Sequence, residues 1–453
     1  MEPFEHTGAF FVPESSDRSL GDLSVSGTSF VLRLDAPLEH VEFPDQRPGQ
    51  EPPSMRLPLL LGDLRDEGQV TLLNPLGTGQ DGYQSWRASV ALVGEYVVDP
   101  TFVRTGVEFD LLTAWVDPPH MIMWDKKDPL DGQISLERTV LETGDFDGMK
   151  VELVSTVSGT GGHLVVDLRR RTWLIVDHEP MSLDHVNEKV IRPLKDLLVV
   201  LLGRSVKVVN LTVTPESGGK PRRVKFREVV ENEYLDYDPL WLRSWGAETL
   251  MTHKELPISF EEVLAGWFRS RVDLRAATGL LCSSFDASFM YADNWFASTF
   301  QAAEDLANTL VAPTTEQQAA HKEKVDRAVA ALDAGNLPPA DLDWATQRLR
   351  SGNQPGLTAK VAALLRNAGP LGEQVLAADP NFPRRVTSLR SRVAHPSTLD
   401  EKAYAQMHWS ELVLRWIVRS RLLTQAGLPA DAVAEAVDRR GALAGALGKL
   451  GMA

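Results

Sequence analysis

The spacing of apolar residues changes from the period of a strand to the period of a helix near residue 258, and this change limits the fold more than any other feature of the sequence. Before it, short runs such as SFVLRL (29–34) and QVTLL (69–73) lie between clusters of Gly, Pro and Asp, which is typical of strands. After it, apolar residues recur every three or four positions. We therefore predict an α+β chain, with an antiparallel β-sandwich-like domain first and an all-α helical bundle second.

One helix is predicted to interrupt the strands. Its sequence is LDHVNEKVIRPLKDLLVVLLG (183–203), and we expect it to end at Gly203, because glycine often follows the last turn of a helix. Further strands are predicted at 89–98, 163–176, 205–215 and 222–230.

The helical part begins at a recognisable cap. Ser259 is placed as an N-cap and is followed by acidic residues, as the first turn of a helix favours. Long helices are predicted over 287–310 and 404–427. The predicted domains are a β-rich domain over 1–255, a connecting helix over 256–280 and a helical domain over 281–453.

Charge is distributed unevenly. The chain has a net charge of −15, but residues 281–453 contain 18 basic and 18 acidic residues, so the negative charge lies in residues 1–280. Within 384–421 there are eight basic residues and three acidic ones. This stretch could attract a phosphate backbone, and a solvated helical face is the other interpretation.

Composition also indicates a compartment. Cys282 is the only cysteine, so neither an intramolecular disulfide nor a thiolate zinc site can form. The ten histidines show no zinc-binding spacing, and the longest aliphatic block, LLVVLL (197–202), is too short to span a bilayer. We expect a cytoplasmic protein with no membrane association, no metal and no cofactor.

Two glycine-rich motifs are predicted to be turns. GTGQDG (77–82) fits the first half of a dinucleotide-binding fingerprint, but the sequence after it resembles a strand, so no helix N-terminus would face a pyrophosphate. We interpret it as a hairpin loop, and SGTGGH (158–163) likewise as a turn.

The stretch SLRSRVAHPS (388–397) contains an arginine followed at short spacing by a histidine. On a continuous helix, Arg390 and His395 would lie about 140° apart, so they converge only if the helix breaks, and Pro396 favours such a break. The spacing alone is weak, because it occurs three times: Arg33 with His40, Arg171 with His178, and Arg390 with His395.

Such a pair suits metal-free RNA cleavage. A histidine can move protons to and from ribose oxygens, while an arginine binds the phosphate as negative charge develops. Two copies in a dimer would supply both an acid and a base. A helix C-terminus with a solvated basic face is the alternative for these residues.

In this context the segment LRSRVAH resembles the HEPN superfamily, whose ribonuclease members carry R-x4-6-H with a polar residue after the arginine. Arg390 and His395 occupy the motif positions, and Ser391 stands where asparagine is commonest. The upstream segment FQAAEDL is similar to the first helix of the family, with Glu304 as its acidic residue.

The N-terminal part resembles the ApeA N-terminal domain of bacterial anti-phage proteins. The matching segments include GAFFVPESSDRSLGDLSVSGTSFVLRL, GQVTLL and LVGEYVVDPTFVRTGVEFDLLTAWV. This resemblance implies a toxin of abortive infection, a homodimer through the HEPN domain that cuts RNA, with tRNA as the expected substrate. It also implies a phage-encoded trigger protein. We further hypothesise that the acidic β domain holds the bundle inactive.

The resemblance implies roles for individual residues. Arg390 would bind phosphate, His395 would transfer protons, and Ser391 would orient the substrate or hydrogen-bond to phosphate. The candidate substrate-binding residues are Arg392, Arg385 and Glu304.

Two other functions stay open. The helical domain is a non-catalytic dimerisation or nucleotide-binding scaffold in the first alternative. In the second, the β-sandwich binds a carbohydrate or peptide, with Trp86, Trp115 or Trp124 as a platform.

Overall fold

A computed structural model describes most of the chain. It covers residues 5–26, 29–38, 41, 43, 54–80, 83–116, 138–162, 165–226, 248–287, 290–311, 315–335, 337–351, 355–394 and 400–452. The chain forms two compact units. The first unit comprises Met1–Leu198, Val206–Leu242 and Thr252–Ala265, and the second comprises Val199–Ser205, Arg243–Met251 and Gly266–Ala453. The domain boundaries expected at residues 255 and 281 stay a prediction.

The first unit is an antiparallel sheet domain. Its strands are β1 (Glu5–Phe11), β2 (Ser19–Ser26), β3 (Ser29–Leu34), β4 (Ser54–Arg56), β5 (Leu59–Leu64), β6 (Gly68–Leu73), β7 (Leu76–Gln80), β8 (Tyr83–Ala88), β9 (Val90–Val93), β10 (Thr101–Phe109), β11 (Thr139–Phe146), β12 (Met149–Gly162), β13 (Val165–Ser182), β14 (Val208–Pro215) and β15 (Arg222–Phe226). Among the described residues they pair in the order β11-β12-β13-β10-β14-β15-β9-β6-β5-β1-β2-β3-β8-β7-β4.

The two glycine-rich motifs differ in outcome. β7 and β8 pair directly, with Gln80 opposite Tyr83, so the predicted hairpin is confirmed. Its loop is shorter than predicted, because residues 77–80 belong to β7, and Asp81 and Gly82 lie outside the described residues. At 158–163 the prediction of a turn was wrong for residues 158–162. They belong to β12, which pairs with β13 as far as Gly162 opposite Val165. Glycine permits a turn, but here a long cross-strand partner keeps the chain extended.

The core of the first unit lies between the strands. Phe10, Leu32, Leu60 and Trp86 are all fully buried in one apolar cluster. A Cβ at Gly77 would collide with the ring of Trp86, so only glycine lets the strand approach that ring. The core therefore depends on a large side chain packed against bare backbone.

The helix predicted at 183–203 is confirmed. It consists of α2 (Leu183–Val186), a π-helical turn (Asn187–Ile191) and α3 (Arg192–Leu202), and Gly203 follows with φ +69°. A shorter helix, α1 (Leu112–Val116), precedes it in the chain. A 3₁₀ turn follows at His253–Glu255.

The second unit is helical. Its helices are α4 (Phe260–Asp286, which begins in the first unit), α5 (Ala292–Val311), α6 (Thr315–Ala334), α7 (Pro339–Ser351), α8 (Leu357–Arg366), α9 (Pro370–Ala378), α10 (Phe382–Ala394), α11 (Glu401–Gln425), α12 (Ala430–Arg440) and α13 (Ala442–Met452). The predicted α+β class, with antiparallel sheet first and helices second, is confirmed.

Caps and packing explain where these helices lie. The Ser259 hydroxyl accepts a hydrogen bond from the Glu262 amide at 3.2 Å, which confirms the predicted start of α4. α11 is the central helix and packs against α5, α12 and α13. It is buried on several faces, with Met407, Leu414 and Ile417 fully covered.

No helix among the described residues is long and apolar enough to cross a membrane.

Candidate active site on helix α10

Arg390 lies on helix α10, which packs through one apolar face. Phe382, Val386 and Leu389 are buried and recur at helical spacing, so the opposite side of the helix faces outward. Val393 continues this spacing but is half-buried. Arg390 follows directly after Leu389 and is half-buried.

Arg390 lies near the C-terminal end of α10. Among the described residues, none forms an ion pair or hydrogen bond with its guanidinium. A positive charge in the last turns of a helix is favoured by the helix dipole. The guanidinium can therefore accept an anionic ligand without first losing a partner among these residues.

Ser391 is exposed, and its hydroxyl donates to the carbonyl oxygen of Thr387 at 3.2 Å. This bond within the helix directs the proton of the hydroxyl away from solvent. The lone pairs of the oxygen stay available as acceptors. Helix α10 is described as far as Ala394. His395, Pro396 and the predicted helix break lie outside the described residues.

Arg385 is held by a neighbouring carboxylate. Its Nε donates to Asp379 Oδ2 at 2.9 Å, and Asp379 also accepts from the Asn381 amide at 3.0 Å. This ion pair ties the start of α10 to the residue that follows α9. Arg392 is half-buried and also interacts with other groups of the chain. Both Arg385 and Arg392 therefore differ from Arg390, whose guanidinium has no partner among the described residues.

Glu304 lies on α5 and is bound by Lys360 of α8, whose Nζ is 3.1 Å from Glu304 Oε1. Both side chains are largely buried, at 16% and 13% exposure respectively. The pair links two helices of the bundle. The described contacts place Glu304 against a cation of its own chain, and its role toward substrate stays a prediction.

A buried polar network on α11 was not predicted from the sequence. Arg415 donates to both carboxylate oxygens of Glu411, at 2.8 and 2.5 Å, and the Thr299 hydroxyl donates to the same carboxylate at 2.9 Å. The guanidinium also lies over the ring of Trp295, 4.4 Å from its centroid. The spacing of Glu411 and Arg415, one helical turn apart, is a signal that could have predicted the pair.

Arg419, one turn further, is also buried. Its Nε donates to the carbonyl oxygen of Val200 at 2.8 Å and its Nη2 to that of Leu201 at 3.1 Å, at the C-terminal end of α3. Burial, with a smaller contribution from the nearby charge of Arg415, lowers the pKa of Arg419 to about 9, so the guanidinium is charged at neutral pH. A cation at this position satisfies carbonyl groups that the helix itself leaves unpaired.

These contacts reduce the number of basic residues between 384 and 421 that could attract a phosphate backbone. Arg415 is paired with Glu411, and Arg419 is 2% exposed, so neither charge is available to an external phosphate. The exposed positive charges of this stretch are Arg384 on α10 and Lys402 on α11, and Arg390 and Arg421 are half-buried.

The proposed aromatic platform in the β domain also loses support. Trp86 and Trp115 are each 0% exposed, because both fill the interior of the first unit. Trp124 lies outside the described residues. A carbohydrate or peptide cannot stack on the two described rings without unfolding the sheet around them.

The fold defines a class: a protein with an antiparallel sheet domain followed by a helical domain. The family model "ApeA N-terminal domain 1" matches residues 5–267, and the model "Apea-like HEPN" matches residues 297–432. The first match covers more than half of the chain, so the protein belongs to the ApeA N-terminal domain 1 family. No curated protein and no solved structure matches the chain.

The two matches confirm the ApeA-like architecture predicted from the sequence and support an anti-phage protein that contains a HEPN domain. A HEPN domain suggests nuclease activity in general. The second match includes Glu304 and the whole segment from Arg385 to His395.

Proposed function

We propose that this protein is a metal-independent endoribonuclease of anti-phage defence, with Arg390 and His395 at its active site. The observation that carries the proposal is the position of Arg390 and the absence of an ion-pair partner for it among the described residues. Arg390 lies near the end of α10, half-buried and without an ion pair among the described residues, inside the segment that matches the HEPN model. An unpaired guanidinium in such a position is suited to binding a phosphate group.

In the proposed reaction, the ribose 2′-oxygen attacks the adjacent phosphorus and the 5′-oxygen leaves. The 2′-hydroxyl gives its proton to a base, and the leaving oxygen receives a proton from an acid. His395 has the right chemistry for either transfer, because imidazole titrates near neutral pH. The products carry a 2′,3′-cyclic phosphate and a 5′-hydroxyl.

Arg390 would stabilise the negative charge that grows on the phosphate oxygens during attack. The oxygen of Ser391 can accept a hydrogen bond from the ribose, while its own proton is bound to Thr387. One histidine cannot act as base and acid in a single step. We therefore infer that two copies of the chain supply His395 to one site.

The RNA substrate is expected to be tRNA, and a phage-encoded protein is the expected trigger. The net negative charge of residues 1–280 supports a regulatory role for the β domain over one in RNA binding. A deletion of residues 1–255 would be a poor test of this regulation. It would remove Val200 and Leu201, whose carbonyl groups bind the buried Arg419.

The test uses the full chain. Purified protein is incubated with total bacterial RNA in EDTA, with and without lysate of phage-infected cells, and the RNA ends are analysed. We expect cleavage with cyclic phosphate ends, and a loss of about 10²-fold or more in His395→Ala. Arg439→Ala, which removes an exposed arginine of α12, should cleave at nearly the normal rate.

Other outcomes would point elsewhere. Cleavage only after addition of infected lysate would support activation by a trigger. If neither condition gives cleavage, or if His395→Ala cleaves as fast as the wild type, the proposed chemistry is wrong, and the non-catalytic scaffold becomes the better account of the helical domain.

A further inference from the structure

Helices α6 and α7 form a hairpin that the rest of the described chain covers very little. Among the residues of the two helices whose side chains are described, only Val325 is buried. By comparison, α5, of the same length as α6, buries seven residues. The hairpin thus lacks the packing that normally stabilises helices of this size.

The two helices contact each other along one seam. On α7, Leu342, Ala345 and Leu349 recur at helical spacing and are half-buried. His321 of α6 lies near the end of α7, with its Nε2 3.3 Å from the carbonyl oxygen of Arg350, so the helices run antiparallel. This seam uses the apolar face of α7.

Trp344 lies outside this seam. It is two positions after Leu342, which places it about 200° around the helix. Its side chain is 64% exposed, although it is the largest apolar side chain of the hairpin. Exposed tryptophans of this kind are characteristic of protein interfaces, where they contribute a large share of the binding energy.

Charge is polarised along the hairpin. We define the hairpin tip as residues 328–347 and the hairpin base as residues 315–327 and 348–351. The tip contains three acidic residues and no basic one, whereas the base contains five basic residues and three acidic ones. Over its whole length the hairpin has six acidic and five basic residues, which does not favour RNA as its ligand.

The charge distribution of one hairpin is complementary to that of a second copy that runs in the opposite direction. If two copies of the hairpin lie side by side in opposite directions, the acidic tip of each faces the basic base of the other. A two-fold axis repeats every contact, so both ends of the interface are attractive at once. The same arrangement would cover the exposed ring of each Trp344.

We propose that the α6–α7 hairpin is a dimerisation element that binds the hairpin of a second copy of this chain, antiparallel, with Trp344 in the interface. The proposal does not depend on RNA cleavage, because it concerns assembly alone. If it holds, it also supplies a second chain of the kind that the proposed nuclease needs.

The first experiment measures the mass of the full-length protein by sedimentation velocity over a range of concentrations. We expect the wild type to form an assembly of at least twice the 50.0 kDa of one chain. Trp344→Glu should halve the mass, because it weakens association by about 30-fold or more. The control is Val272→Glu on α4, a residue that is 83% exposed and outside the hairpin, and this variant should keep the wild-type mass.

The second experiment reverses charges. Asp333→Lys with Asp343→Lys makes the tip basic, and Lys322→Glu with Lys324→Glu makes the base acidic; all four residues are exposed. Each variant alone should show the halved mass, since like charges then face each other. A mixture of the two should regain the wild-type mass, because both of its tip–base contacts are again attractive.

The results decide the proposal separately from catalysis. A wild type that sediments as one chain at all concentrations would overturn it. So would hairpin variants that keep the full mass, or two charge-reversed variants that fail to associate when mixed, provided that circular dichroism shows unchanged helix content. Failure of the hairpin variants leaves the proposed RNA cleavage intact, whereas a wild type that is a single chain at all concentrations would also contradict the two-copy active site.

Discussion

Helices α10 and α11 carry all eight basic residues between 384 and 421, but the surroundings of these residues differ. α11 is the central helix of its unit, so Arg415 and Arg419 are enclosed and bound by a carboxylate and by backbone carbonyls. α10 buries only one face, which leaves Arg384 exposed and Arg390 half-buried. The comparison teaches that the position of a helix in the bundle, more than its number of arginines, decides whether their charge stabilises the fold or is available to a ligand.

The largest effect is expected on stability, from Arg419. Arg419→Ala leaves a cavity, removes the side-chain donor of the Val200 carbonyl and leaves the Leu201 carbonyl with the Leu250 amide as its remaining donor. We expect a loss of about 3–5 kcal/mol in the free energy of unfolding. Arg419→Lys should lose less, because it keeps the charge but not the planar group that reaches both oxygens. Thermal unfolding of the full chain measures both.

Arg439→Ala is the control for this comparison. Arg439 lies on α12, is 47% exposed and pairs with Glu435, so its loss should change the free energy of unfolding by less than about 1 kcal/mol. Equal destabilisation by Arg419→Ala and Arg439→Ala would contradict the conclusion that α11 uses its arginines for the fold.

The next effect is expected on activity, from Arg390. Arg390→Ala should lower the RNA cleavage rate by about 10²- to 10³-fold, because the transition-state charge loses its partner. Its unfolding temperature should stay close to that of the wild type, since no described ion pair is lost. Arg390→Lys should recover part of the rate. A destabilised Arg390→Ala protein would instead assign this arginine to the fold, as on α11.

A smaller effect is expected from Glu411. Glu411→Gln removes the negative charge beside Arg415 but keeps an oxygen that can accept from Thr299. We expect a loss of about 2–3 kcal/mol in unfolding free energy, because a largely buried guanidinium loses its counter-charge.

Glu435→Gln is the matched control, since Glu435 also lies one turn before an arginine of its helix but is 73% exposed. This variant should change the unfolding free energy by less than about 0.5 kcal/mol. If both glutamate variants behave alike, burial does not set the strength of the pair on α11.

The sequence predicted what depends on local periodicity. The change near residue 258, the helix that ends at Gly203 and the cap at Ser259 all follow from patterns within a few residues, and all are found in the structure. The strand predicted at 89–98 is shorter, because β9 (Val90–Val93) extends only as far as its pairing with β6 and β15. Such partners lie far away in the sequence and leave no local signal.

The same distinction applies to the candidate site. The helical pair of Glu411 and Arg415 is one turn apart, so it could have been predicted from the sequence. The acceptors of Arg419 lie more than two hundred residues earlier in the chain, and the partner of Glu304 is on another helix. The sequence identified Arg390 through a motif, but its lack of a partner among the described residues became visible only in the structure.

The smallest effect is expected from Arg385, which could either bind substrate or stabilise the fold. The sequence predicts that it binds substrate, whereas its ion pair with Asp379 favours a structural role. We expect Arg385→Ala to lose about 0.5–1 kcal/mol in unfolding free energy, as a partly exposed pair would. RNA binding, measured against salt concentration, should keep its slope, because a lost phosphate contact would reduce that slope by about one. Asp379→Asn separates the two roles further: it frees the guanidinium, so tighter RNA binding by this variant would mean that Arg385 lies within reach of the substrate.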